Sequence, residues 1–215
     1  MTRRKKNSLW AIAGLAVVSL AVLVSSPSSI RASAIADDLK STIDNVIKVV
    51  TDPAYKGDKG KRRQKLRDII TPMFNYHEMG KRALGKKDWV ERTQDEQKQF
   101  IDLFGKLLEN SYASKIESYQ DEEIVYGDEI VKGKYAMVKT KIVRKDDTIN
   151  VDYKLINGGA DWRVYDFVIE DVSMIRNYHS QFSKIIRKDS FQALIDKMSK
   201  KVGDLEKGGP DGDEL

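Results

Sequence analysis

The chain has 215 residues, of which 40% are hydrophobic and 33% charged, with 38 lysines and arginines against 33 acidic side chains and no cysteine. That is room for one domain with its own core and an ordinary globular balance. The absence of cysteine excludes disulfides, thiol chemistry and a lipid anchor attached through an N-terminal cysteine.

The net charge of +5 sits at the start of the chain. Arg3, Arg4, Lys5, Lys6 and Arg31 precede the first acidic residue; taking those five from 38 leaves 33 basic against 33 acidic side chains. The remainder therefore has no sustained positive field of the kind nucleic acid requires. The basic cluster MTRRKKN, the apolar run SLWAIAGLAVVSLAVLV and the small-residue stretch SSPSSIRASA form the three parts of a secretory signal peptide. Ala32-Ser33-Ala34 predicts cleavage after Ala34, with Ala36 as the alternative; a retained membrane anchor is the competing reading. The expected organisation is a signal peptide over 1–34, a domain over 35–202 and a disordered polar tail over 203–215.

Leu39, Ile43, Val46, Ile47 and Val50 make a helical stripe over residues 38–50. The basic run KGDKGKRRQK (56–65) reads as a solvated loop or helix start, with a weak attraction to anionic headgroups as the minor alternative. Leu66, Ile69 and Ile70 continue a helical period. Thr71-Pro72 then reads as the N-cap and first-turn proline of a helix that carries Met73, Phe74, Met79 and Leu84 and stops at Gly85. The clearest helix follows, with Thr93 and Glu96 as a capping box and Phe100, Leu103, Phe104, Leu107, Leu108, Ser111 and Tyr112 on one face.

After Gln120 the period changes to two. EEIVYGDEIV, KYAMVKTKIVRK, TINVDYKLI and DWRVYDFVIE predict four strands, separated by turn signals that include Asp146-Asp147 and Asn157-Gly158-Gly159. In the second, Ala136, Val138, Thr140 and Ile142 share a face; in the third, Ile149, Val151, Tyr153 and Leu155 do. The fourth is apolar on both sides, with Trp162, Val164 and Val168 alternating against Tyr165, Phe167 and Ile169. SMIRNYHSQFSKIIRK and a segment from Asp189 carrying Phe191, Leu194, Ile195 and Met198 return to helix. Helices, then an antiparallel meander, then helices give an α+β fold.

Chemistry is sparse. His77 and His179 are the two histidines, and neither has companions at metal-ligand spacing, so each reads as a surface or capping residue. Asp166 and Glu170 alternate on one strand, yet with Arg163 and Arg176 nearby they read as ion-paired or sheet-end residues rather than a catalytic pair. From residues alone the reading ends at an exported α+β domain, with a small-molecule carrier among its uses.

LGKKDW (84–89), TQDEQKQFIDLFGKLLENSYASKIESY (93–119), WRVYDFVIEDVSMIRNYHSQF (162–182) and FQALIDKM (191–198), in that order, resemble the MlaC or toluene-tolerance auxiliary family of periplasmic phospholipid-binding proteins. The likeness runs from about Asp37 to Lys200. Three positions depart from the family pattern: Gln94 stands where proline is common, Asp171 where glycine usually precedes Val172-Ser173, and His179 where arginine is frequent.

The resemblance implies helices packed on a curved four-stranded antiparallel sheet, enclosing an apolar cavity for acyl chains. Phospholipid would be cargo rather than cofactor. The implied partners are an inner-membrane ABC transporter with an MCE-domain ring and an outer-membrane lipoprotein–porin complex, with no enzymatic turnover. Val138, Ile142, Val151, Tyr153, Leu155, Phe167 and Ile169 are the expected sheet wall of the cavity. Met79, Leu84, Leu103, Leu107, Tyr112, Ile175 and Phe182 are the expected helical wall. Three alternatives stand beside this: an enzyme of the cone-shaped α+β class using Asp166 or His179 as base, a carrier of hopanoid-like lipids, and an adaptor whose cleft takes a partner peptide.

Overall fold

The computed structural model describes residues 28–215 except 56, 160, 210, 211 and 213, with side chains from residue 34 onward. The first 27 residues of the expected leader lie outside the described residues. No described helix is long and apolar enough to cross a membrane. Five helices come first: α1 (Ser28–Thr51), α2 (Lys59–Ile70), α3 (Tyr76–Leu84), α4 (Lys86–Val90) and α5 (Gln94–Glu117). A sheet follows, made of β1 (Glu123–Lys132), β2 (Tyr135–Val143), β3 (Thr148–Asn157), β4 (Trp162–Ile169) and β5 (Val172–Ser173), and then α6 (Met174–Lys188) and α7 (Phe191–Glu206). Each strand pairs antiparallel with the next.

Local chemistry explains many of the boundaries. Asp58 caps α2 by accepting from the Lys61 amide at 2.9 Å, so the basic run opens a helix. Thr93 and Glu96 close the expected reciprocal box at the start of α5, at 3.2 and 2.8 Å. Ser173 accepts from the Arg176 amide at 3.1 Å and starts α6.

Four expectations change. Thr71-Pro72 opens only a single 3-10 turn, Thr71–Met73. Phe74 is then extended and bridges to Val164, the Asn75 amide donates to the Val164 carbonyl at 2.8 Å, and the Asn75 side chain caps α3. Pairing with β4 thus outweighs the local helix-start signal. The sheet has a fifth strand, the two-residue β5, joined to β4 through Glu170 and Asp171. Both turn residues have positive φ, 46° and 64°, so Asp171 takes the left-handed conformation where the family pattern has glycine, as aspartate tolerates. The last helix starts at Phe191 on a Ser190 cap, two residues beyond the expected start at Asp189. It also runs past residue 202 to Glu206, because Val202 and Leu205 extend the stripe of Leu194, Ile195 and Met198 into the core; Leu215 packs there too, and its amide donates to Gln181.

The fourth change concerns β4. Asp166 lies opposite Lys154, but Leu155 lies opposite Val164, so Tyr165 is an extra residue in a bulge. The bulge resets the alternation. Trp162, Val164, Phe167 and Ile169 share the face of Leu155, Tyr153 and Val151, whereas Tyr165 and Asp166 lie with Lys154 on the other. The apparent two-sided apolar strand is a one-sided apolar strand with a shifted register.

The apolar side chains gather into two cores. The larger is helical: α3, α5, α6 and α7 bury Phe100, Phe104, Tyr178 and Phe182 together, with ring centroids 5.2–5.8 Å apart. The smaller lies on the sheet, where Ile35 and Leu39 of α1 and Met73 pack on Ala136, Val138, Leu155 and Val164. Over these sheet residues the expected apolar hollow is filled by α1.

Candidate functional site

The face of the sheet that meets α1 is built by period-two patterning. Across β2, β3 and β4 it presents Ala136, Val138, Thr140 and Ile142, then Ile149, Val151, Tyr153 and Leu155, then Trp162, Val164, Phe167 and Ile169. Thr140 satisfies its hydroxyl by donating to the Val151 carbonyl at 2.7 Å, so the row is apolar in effect. α1 seals one end of this face with Ile35 and Leu39, which are 1% and 2% exposed. Toward the other end the side chains are only partly covered, among them Ile142, Tyr153, Phe167 and Ile169.

A seam runs where the two cores meet. Phe74 packs against both. Phe167 stands edge-on to Phe74 at 6.4 Å and to Tyr112 at 5.2 Å, and Tyr153 lies opposite Phe167 across the ladder. Tyr112 donates its hydroxyl to the Met174 sulfur at 2.9 Å. Desolvation pushes the Tyr153 phenol up to about 12, keeping it neutral at any physiological pH. Half-buried aromatics with little charge among them make a surface suited to hydrocarbon.

α1 is held to the sheet by little polar chemistry. The Ala36 amide donates to Glu129 Oε2 at 3.1 Å, and Lys40 lies over the Tyr126 ring at 5.7 Å. Glu129 Oε1 is buried with no hydrogen-bond partner, as is the Tyr126 hydroxyl. Desolvation, with a further push from Asp37, raises the Glu129 carboxyl above the usual glutamate range, and the Ala36 bond only partly offsets this. A raised carboxylate binds its proton more tightly in the folded state, so its contribution is greatest in acid. It declines as pH climbs from the ordinary glutamate range through the raised value. Glu129→Gln keeps an acceptor for Ala36 without the desolvated charge. It is expected to raise the melting temperature at neutral pH and to flatten the stability profile across that window, as thermal melts from pH 4 to 8 would record.

The predicted wall residues divide. Val138, Ile142, Val151, Tyr153, Leu155, Phe167 and Ile169 share the α1 face, and Tyr112 reaches it across the seam. Of these, Val138 and Leu155 are fully covered by α1 and its neighbours. Met79, Leu84, Leu107, Ile175 and Phe182 belong instead to the helical core, and half-buried Leu103 lines a separate polar cleft of about 390 Å³ with Asp102, Lys106 and Ser199. A 3.6-residue stripe reports a buried face but not which core buries it. Ile35, Leu39, Phe74 and Trp162 were not among the predicted wall residues. For Ile35 and Leu39 the stripe of the first helix was the available signal.

Neither proposed catalytic group lies on the seam; both line a separate cleft on the other side of β4. Asp166, 5% exposed, accepts from Ser173 Oγ at 2.8 Å, Lys154 Nζ at 3.1 Å and the Ile175 amide at 3.2 Å, tying β4 to the start of α6. His179 Nδ1 lies 3.1 Å from the Ala83 carbonyl and caps the end of α3. Among the described residues no group of three or more His, Asp or Glu side chains is placed to hold a metal ion.

The same histidine accounts for the Leu-Gly pair. Gly85 has φ 87° and ψ 152°, a region open essentially to glycine, and a Cβ there would sit 2.6 Å from His179 Cε1. Gly85→Ala is expected to cost about 1–3 kcal/mol from the backbone, with a further loss from the clash. Adding His179→Ala should recover only the clash, a split that urea unfolding of the single and double variants would resolve.

Comparison with known proteins agrees with this architecture. The chain matches the family described as MlaC protein over residues 40–200. It is 27% identical over 190 residues to the intermembrane phospholipid transport system binding protein MlaC of Haemophilus influenzae, covering 85% of each chain. Its fold is similar, with a TM-score of 0.72 at 21% identity, to a phospholipid-binding protein from Ralstonia solanacearum solved in complex with a phospholipid, over 80% of this chain and 98% of that one.

Proposed function

The chain belongs to the MlaC family, and on that premise we propose that it is a soluble periplasmic carrier of phospholipid, the binding component of an ABC-type intermembrane transport system that maintains outer-membrane lipid asymmetry. The observation that carries the reading is the α1 face: three adjacent strands present apolar side chains in register, and the face ends in a half-buried aromatic seam. The acyl chains would lie along this face, with Tyr112, Tyr153, Phe167 and Ile169 as their first contacts. The expected exchange partners are an inner-membrane ABC transporter with an MCE-domain ring and an outer-membrane lipoprotein–porin complex.

Magnitudes favour tail burial over headgroup recognition. At ~0.8 kcal/mol per methylene, two acyl chains of about sixteen carbons represent roughly 20–25 kcal/mol of transfer free energy. A soluble carrier must supply nearly all of that burial, and a few headgroup hydrogen bonds at about 1–3 kcal/mol each cannot replace it. For tails to reach the sheet, α1 must move aside. The uncovered sheet residues then meet hydrocarbon in place of Ile35 and Leu39.

The direct test is mass spectrometry of an organic extract of the purified protein. Phospholipid in stoichiometric amount supports the carrier. An extract free of lipid, from protein that also fails to take phospholipid from vesicles, rejects it.

A further inference from the structure

We propose that a second cleft, on the face of β4 opposite α1, binds a phosphate group. It lies between α3, β4 and α6, has a volume of about 240 Å³, and is walled by Arg82, Lys154, Tyr165, Arg176 and His179 over a floor of Asp166. The β4 bulge creates it, by placing Tyr165 and Asp166 side by side with Lys154.

Its chemistry is that of a donor-rich site. Asp166 is fully engaged by Ser173, Lys154 and the Ile175 amide, and Lys154 balances its charge. His179 Nδ1 is committed to the Ala83 carbonyl. What faces the opening is therefore cationic. Arg82 is anchored by Glu78 at 2.6 Å and stacked on Tyr165 at 4.3 Å, which fixes its plane and leaves part of its guanidinium fork available. Arg176 forms no ion pair among the described residues, and its amide donates to Ser173 Oγ. Two guanidinium groups, a lysine and a phenol around a small space suit a tetrahedral anion with several acceptor oxygens. The space is too small for a whole phospholipid, and it opens away from the α1 face. The site is thus independent of the proposed tail site. Free phosphate and the phosphate of a bilayer headgroup present the same chemistry.

Amide NMR of the purified protein at fixed ionic strength tests this, using inorganic phosphate in one arm and phosphatidylglycerol vesicles in the other. Saturable shifts centred on Tyr165, Arg176 and His179 are expected in at least one arm, and Arg176→Gln is expected to weaken them about tenfold or more while leaving the melting temperature unchanged. Arg82→Gln serves as the second variant should Arg176→Gln fold poorly. A response to phosphate identifies a free-anion site, and a response to vesicles alone a headgroup site. Shifts absent from both arms, shifts indifferent to both variants, or equal shifts with acetate would overturn the proposal; the last would point to a carboxylate of a partner protein.

Discussion

Tethering α1 to β1 is expected to abolish phospholipid uptake, and releasing the tether to restore it. Ala36→Cys and Glu129→Cys place thiols where the Ala36 amide now donates to the Glu129 side chain. A thiol-cleavable bifunctional maleimide across the pair would hold the N-terminal half of α1 on the sheet. Lifting that half exposes Ile35 and Leu39 and part of Ile43, and breaks one hydrogen bond, a cost of about 5–8 kcal/mol. The roughly 20–25 kcal/mol gained by burying two acyl chains exceeds this several-fold, so lipid can displace the helix and the free protein can remain closed. The tethered protein lacks that option. Transfer of fluorescent phospholipid from vesicles should fall at least tenfold in the tethered form and return on reduction. Full uptake by the tethered protein would show that α1 is not the gate. The raised Glu129 carboxyl adds a direction: acid favours the closed arrangement and neutral pH loosens it.

A charge scan of the predicted wall should divide along the line between the two cores. Aspartate at Tyr112, Phe167 or Ile169 enters a half-buried position where the charge keeps access to water, and these variants are expected to stay folded and lose bound lipid. Aspartate at Met79, Leu84, Leu107, Ile175 or Phe182 enters the closed helical core, where an unpaired charge has no partner, and these variants are expected to unfold. Even the neutral Phe182→Ala should cost about 3–5 kcal/mol, since its ring meets Phe100, Phe104 and Tyr178. Circular dichroism together with lipid content separates the outcomes. Folded, lipid-free variants from the helical core would show that the tail site extends into it.

That division marks how far the chain could be read without coordinates. Interactions within one turn or one strand were legible: the Thr93–Glu96 box, the stripe of α5, the alternation of β2 and β3, and the boundaries of the first four strands to within a residue or two. Each depends on neighbours a few positions apart, and residue type carries that information. The helix start at Thr71-Pro72 failed because its competitor, β4, lies about ninety residues away and claims Phe74 and Asn75 through backbone pairing.

The site itself was half legible. Seven sheet residues and Tyr112, expected together from periodicity and family resemblance, do share or adjoin one face. Periodicity reports that side chains share a face, and it is silent about what covers them. That α1 lies on the sheet, that a second core collects Phe182 and Leu107, and that Gly85 makes room for His179 are all contacts between segments distant in sequence. The bulge at Tyr165 sets the limit most sharply. One extra residue exchanges the two faces of half a strand at little local cost, so only the partner strand's register could decide whether Phe167 meets the seam and Asp166 the cation-lined cleft.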